Sequence, residues 1–138
     1  MSINFHTEDT DYNLDNKRSI QKWITFVIND QEHSLGTINY ILCSDEYLLA
    51  MNQKYLNHDT YTDVITFDYS TPKVISGDIF ISIERVHENA RLFKKTLIDE
   101  LSRVMVHGVL HLCGYKDKSL DESAEMRKME DHYLAFVH

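Results

Sequence analysis

Apolar and polar positions along the chain divide it into alternating strand-like and helix-like stretches. Residues 2–8 fit a short edge strand. Leu14 to Asn29 fits a helix, with Asp15 or Asn16 available as a cap and Ile20, Trp23, Ile24, Phe26 and Val27 forming one apolar face near helical period. Residues 34–43 fit a strand, and Ser44-Asp45-Glu46 opens a second helix whose buried side is Leu48, Leu49, Met51 and Leu56. After a loop at residues 57–60, the β-branched and aromatic run 63–69 predicts a strand, and Ser70-Thr71-Pro72 a turn. In 77–83, Ile79, Ile81 and Ile83 fall at period two, so the same face of a strand turns inward. Three helices follow: Glu84 to Phe93, Leu97 to Leu112 stopped near Gly114, and Asp121 to about Phe136. The order β-α-β-α-β-β-α-α-α predicts a mixed sheet with about five helices packed on it.

Composition narrows the classes of protein. The chain has 138 residues, 4 Gly and 1 Pro. It has no linker-like stretch and no repeat, so one domain over 1–138 is expected. Its net charge of −8 excludes binding nucleic acid through a charge that is basic throughout, though a local cationic groove remains compatible. Two cysteines, Cys43 and Cys113, are too few for a disulfide framework and fit a reducing compartment. No apolar run approaches the ~20 residues of a membrane span. The start, Met1-Ser2-Ile3-Asn4-Phe5-His6, has neither a basic nor an apolar region of a signal peptide, so a cytoplasmic location is expected.

The candidate chemistry lies in His107-Gly108-Val109-Leu110-His111-Leu112-Cys113-Gly114-Tyr115-Lys116-Asp117. Residues four apart on a helix share a face, so the two imidazoles can converge on one ion. Gly114 lets the chain leave the helix through a positive φ, and Asp117 can then return toward the same point. Two His nitrogens and one carboxylate oxygen with a position left open make a catalytic rather than a structural zinc site. On a helical wheel with Leu101 at 0°, His107 and His111 fall at about 240° and 280°, on the flank of the apolar stripe. Glu100, at about 260°, is the candidate carboxylate to orient His107, although seven residues rise about 10.5 Å. Cys113, at about 120°, points away and is expected to be a core thiol. Tyr115 is expected to serve packing, and His132 and His138 to face solvent. The spacing resembles that of the His-Glu-x-x-His zinc peptidases, but Gly108 occupies the position of their general base and cannot take a proton.

These residues resemble the bacterial YbeY-type endoribonucleases, whose pattern is His-Gly-x-Leu-His-Leu-x-Gly-Tyr-Asp-His. Tyr61-Thr62-Asp63-Val64-Ile65-Thr66-Phe67 is similar to that family's Pro-Thr-Asp-Val-Leu-Ser-Phe, and Gly77-Asp78-Ile79 to its Gly-Asp-Ile strand. Glu100 and Met126 also match. The resemblance implies an α+β fold, a small mixed sheet flanked by helices with a zincin-like metal cleft. It implies a zinc-dependent, single-strand endoribonuclease that matures the 3′ end of 16S ribosomal RNA and takes part in ribosome quality control, with ribosomal RNA and the ribosome as partners. Two positions depart from the family. Asp117 replaces its third ligand, a His, and remains a competent zinc ligand. Leu56 replaces an Arg that follows Leu-Asn-x-x-Tyr, so another cation, from Lys54, His58 and Lys116, would have to take its place. The candidate RNA contacts are Lys116 and Lys118 beside the metal, with Arg91, Lys94 and Lys95 next. Two other readings stay open: a ribosome assembly factor with little catalysis, and a metal-dependent hydrolase of another substrate. Whether water or a ribose 2′-OH attacks is also open.

Overall fold

The structure is a computed structural model that describes residues 1–56 and 62–137. Its elements run β1 (Ser2–Glu8), α1 (Lys17–Asp30), β2 (Ser34–Cys43), α2 (Asp45–Leu56), β3 (Val64–Asp68), β4 (Val74–Ser82), α3 (Ile83–Leu92), α4 (Leu97–Leu112) and α5 (Leu120–Leu134). The strands form a four-stranded sheet of order β1-β2-β4-β3. β1 pairs in parallel with β2, and β2 in parallel with β4. β3 returns antiparallel on β4, so the sheet is mixed and β1 is an edge strand. With its helices, this is the expected α+β architecture.

The alternation along the central strands separates two apolar layers. Ile38, Tyr40 and Leu42 of β2, with Ile79 and Ile81 of β4, face the main core and meet Ile24 and Val27 of α1 and Leu101, Met105 and Val109 of α4. Cys43, Ile65, Phe67 and Phe80 face the other side, where α2 covers them with Leu48 and Tyr47. A strand covered on both faces reads as an apolar run, as Tyr40-Ile41-Leu42-Cys43 does.

Helix α4 lies against β4, and Gly108 sets how closely. A Cβ on Gly108 would stand 2.9 Å from Ile79 Cγ2, so only hydrogen fits between helix and sheet. Gly108 therefore has a packing function as well as lacking the peptidase base.

Several boundaries differ from the pattern. β4 starts at Val74, three residues before Gly77, because the backbone continues to pair with Ser34 and Leu35. Ile83 is the first residue of α3 rather than the last of the strand, because Ser82 caps that helix by accepting from the Arg85 N–H. Asn16 precedes α1 without a side-chain cap bond. Leu56 and Phe26, assigned to buried faces by periodicity, are 43% and 41% exposed. In α2 the buried face is instead Leu48 and Asn52.

Candidate metal centre

The last turns of α4 and the chain just beyond them build the site. Thr96 caps the start of α4 by accepting from the Asp99 N–H. At the other end Gly114 has φ 107°. The Gly114 N–H donates to His111 O at 3.0 Å and the Tyr115 N–H to Leu110 O at 3.0 Å, which is the Schellman pairing. This ending turns the chain back, and Asp117 reaches the helix face that carries both histidines.

The geometry is tight. His107 Nε2 and His111 Nε2 stand 3.0 Å apart. Asp117 Oδ2 lies 3.3 Å from the first and 3.4 Å from the second. The remaining ring nitrogens are taken. His111 Nδ1 donates to Tyr115 O at 2.9 Å, and His107 Nδ1 donates to Glu130 Oε2 at 2.6 Å. With both Nδ1 atoms donating, each Nε2 is left to present a lone pair to a metal at the point that Asp117 Oδ2 also faces. Bonds of about 2.0–2.2 Å in tetrahedral geometry put neighbouring ligand atoms about 3.3–3.6 Å apart, close to this triangle. His107, His111 and Asp117 can thus hold a divalent metal, with the cavities beside them leaving a position open.

The carboxylate behind His107 is Glu130 of α5, not Glu100. Both ring nitrogens of His107 are accounted for without Glu100, which lies two turns back on the same helix. Glu130 is 5% exposed and also accepts from Arg103 Nη1 at 2.8 Å, while Arg103 Nη2 donates to Asp131 at 2.6 Å. Burial alone would raise the Glu130 carboxyl, but His107 and Arg103 outweigh it and hold it below the usual range. Burial likewise works to lower His107, and the Glu130 bond and charge, with Asp117, hold it above the usual imidazole value. The sequence carried a signal for Glu130. Met126, Glu130 and Tyr133 fall at i, i+4, i+7, so the glutamate sits in the buried stripe of α5.

Glu100 has different company. It is 6% exposed and lines the cavity beside the triad with Asp63. Burial raises both carboxyls, and each charge adds to the effect of burial on Glu100 from Asp63 and Glu130. Asp63 precedes β3, in the Thr-Asp-Val stretch of the sequence.

Two cavities meet at the triad. One, about 310 Å³, runs between α3, α4 and α5 and includes Asp63, Glu100, Arg127 and Glu130. The other, about 750 Å³, runs along β3 and α2 and includes Asn52, Leu56, Thr66 and Lys118. Of the candidate cations, Lys118 lines this second cavity, whereas Lys116 is exposed outside both. Lys54 stands 5.2 Å over the Tyr55 ring, Arg91 pairs with Glu88, and His58 lies outside the described residues. Cys113 does not join the cluster, and burial pushes its thiol up to about 11. His132 is exposed against the Tyr133 and Phe136 rings, and Tyr115 packs on the core; His138 is outside the described residues.

A mixed sheet with two histidines on one helix and an aspartate on the following turn defines an α+β protein with an open metal cleft. The comparisons make this specific: the chain belongs to the family described as Endoribonuclease YbeY, whose profile matches residues 2–138. It is 54% identical over 136 residues to Endoribonuclease YbeY of Flavobacterium psychrophilum, covering 99% of this chain and 96% of that one. It is 51% identical over 136 residues to the protein of the same name from Flavobacterium johnsoniae, covering 99% and 97%. The solution structure of TM1509 from Thermotoga maritima is similar with a TM-score of 0.69 and 29% identity, covering 96% of this chain and 87% of that one.

Proposed function

We propose that residues 1–138 work as one zinc-dependent endoribonuclease domain that cuts single-stranded ribosomal RNA, including maturation of the 16S 3′ end and ribosome quality control in the cytoplasm. The family supports the class of reaction, hydrolysis of an RNA phosphodiester. The observation that carries the assignment to a site is the Nε2, Nε2, Oδ2 triangle of His107, His111 and Asp117 between two cavities. Among the described residues no helix is long and apolar enough to cross a membrane.

His107, His111 and Asp117 would hold a zinc ion there, which would supply Lewis acidity toward a phosphoryl oxygen or toward an attacking water. The protein does the positioning. Glu130 fixes the His107 ring and its tautomer, and Tyr115 O does the same for His111. That Lys118 lines the β3-side cavity supports its role in meeting a backbone phosphate, and the exposed Lys116 would add charge nearby. Asp63 and Glu100, whose carboxyls burial raises above the usual range, line the other cavity.

Leu56 keeps a second reading in view, because it gives the β3-side cavity an apolar side chain where the resemblance calls for a cation. That reading, an assembly factor with little catalysis, predicts RNA binding without cleavage. Purified protein should cut single-stranded ribosomal RNA, lose activity on chelation and regain it with zinc. Binding that persists without any cleavage at saturating zinc overturns the nuclease assignment.

A further inference from the structure

Phe93 is a large aromatic side chain that the fold leaves 58% exposed beside the metal triad. Its backbone is fixed as the C-cap of α3: the Phe93 N–H donates to Asn89 O at 2.9 Å, and the Lys95 N–H returns to Ala90 O at 2.9 Å. The backbone that carries the ring is therefore held at the mouth of a groove rather than on a loose loop. Phe93 lines the 310 Å³ cavity that also contains His107 and Asp117. It lines the adjoining cavity of about 350 Å³ as well, where Lys95 stands.

Arg127 of α5 lines both of these cavities too. It stands 4.0 Å from Glu130, whose oxygens are engaged more closely by Arg103 and His107, and its side chain is 61% exposed. Arg103 differs, since Glu130 and Asp131 neutralise it. The groove thus offers a flat apolar ring and a solvent-facing guanidinium on opposite helices, next to the reaction centre. Single-stranded nucleic acid is recognised by this combination, with bases stacked on aromatic rings and phosphates met by cations.

We propose that Phe93 and Arg127 form a nucleotide subsite flanking the metal centre, in which one base of the RNA stacks on Phe93 and the neighbouring phosphate pairs with Arg127. The proposal rests on the endoribonuclease reading and adds to it the direction in which the strand leaves the metal: between α3 and α5, opposite the β3-side cavity. Stacking tolerates any base, so this subsite gives affinity for single strands with little sequence preference. A duplex, whose bases are already stacked, gains nothing from it.

The test uses zinc-loaded full-length protein and a short single-stranded oligoadenylate. Binding is read by stopped-flow anisotropy before cleavage accumulates, and cleavage by initial rates. Phe93→Ala should weaken binding about tenfold and raise KM in step, with kcat nearly unchanged. Arg127→Ala should weaken it less and lower the salt slope by about one phosphate contact. Phe93→Trp should bind like the wild type, and its emission should be quenched by RNA, since the one native tryptophan, Trp23, is buried and serves as the control. Unchanged affinity in Phe93→Ala, or unquenched Trp emission at saturation, overturns the subsite. Wild-type protein that binds with these effects but never cleaves overturns the nuclease reading and leaves the subsite standing. Wild-type protein that does not bind RNA overturns both.

Discussion

Glu130 is the residue on which the metal site depends without containing it. Its carboxylate receives the His107 Nδ1 proton at 2.6 Å and is itself held by Arg103 at 2.8 Å. Glu130→Gln keeps the shape and removes the charge, so zinc affinity should fall by about 10- to 100-fold while the thermal transition stays cooperative; a metal-competition titration reads this. Glu100 makes the opposite case. Its carboxyl is raised in the folded state, first by burial and then by Asp63, so its contribution to stability is full below the unfolded value and is lost as pH rises through the folded value. At neutral pH the ionised form is therefore a burden. Glu100→Gln should raise Tm by a few degrees at pH 7, and the gain should vanish near pH 4; an equal gain at both values contradicts this linkage. The sequence pointed to His107, His111 and Asp117, which the structure brings together, because their spacing within one helix and turn is local. It misdirected the choice of carboxylate because a wheel ranks angles on one helix, while the closest acid comes from another, α5.

Among the elements, α4 carries both histidines of the candidate site and a large share of the main core. Its apolar stripe binds it to the sheet, and its histidine flank stays at the cleft. Gly108 couples the two. Gly108→Ala places a methyl 2.9 Å from Ile79 Cγ2, on a β-branched side chain that is completely buried. Overpacking of this kind costs about 1–3 kcal/mol, against a gain of up to about 1 kcal/mol in helix propensity. A net loss of about 1–2 kcal/mol in denaturant titration is expected, with zinc affinity reduced because His107 is the residue immediately before it. Unchanged stability would mean that α4 has room above β4. The helices and the apolar strands were legible from periodicity. Strand order and direction were not, since parallel pairing of β2 with β1 and β4 is set by contacts far apart in sequence. The early start of β4 and the loss of Ile83 to α3 follow from pairing and from the Ser82 cap, neither of which alters the hydrophobic period.

At the scale of the molecule, a chain of charge −8 must meet a polyanion. Attraction is therefore local, and salt dependence should be shallow. Reversing charge at Lys116 and Lys118 should weaken RNA binding and lower the salt slope, with zinc content unchanged, because a protonated lysine does not ligate metal. If affinity and slope both stay the same, those lysines are only solvated surface and the cationic contact lies elsewhere.

If His107, His111 and Asp117 hold the metal that cuts RNA, cleavage must follow zinc loading of that triad. The most direct test is the initial rate of single-stranded ribosomal RNA cleavage as zinc is returned to chelated protein, for wild type and His111→Ala. The wild type should regain full activity at about one zinc per chain, and the folded variant should stay inactive throughout the titration. Recovery of cleavage by His111→Ala at the same zinc stoichiometry would place the metal on other residues.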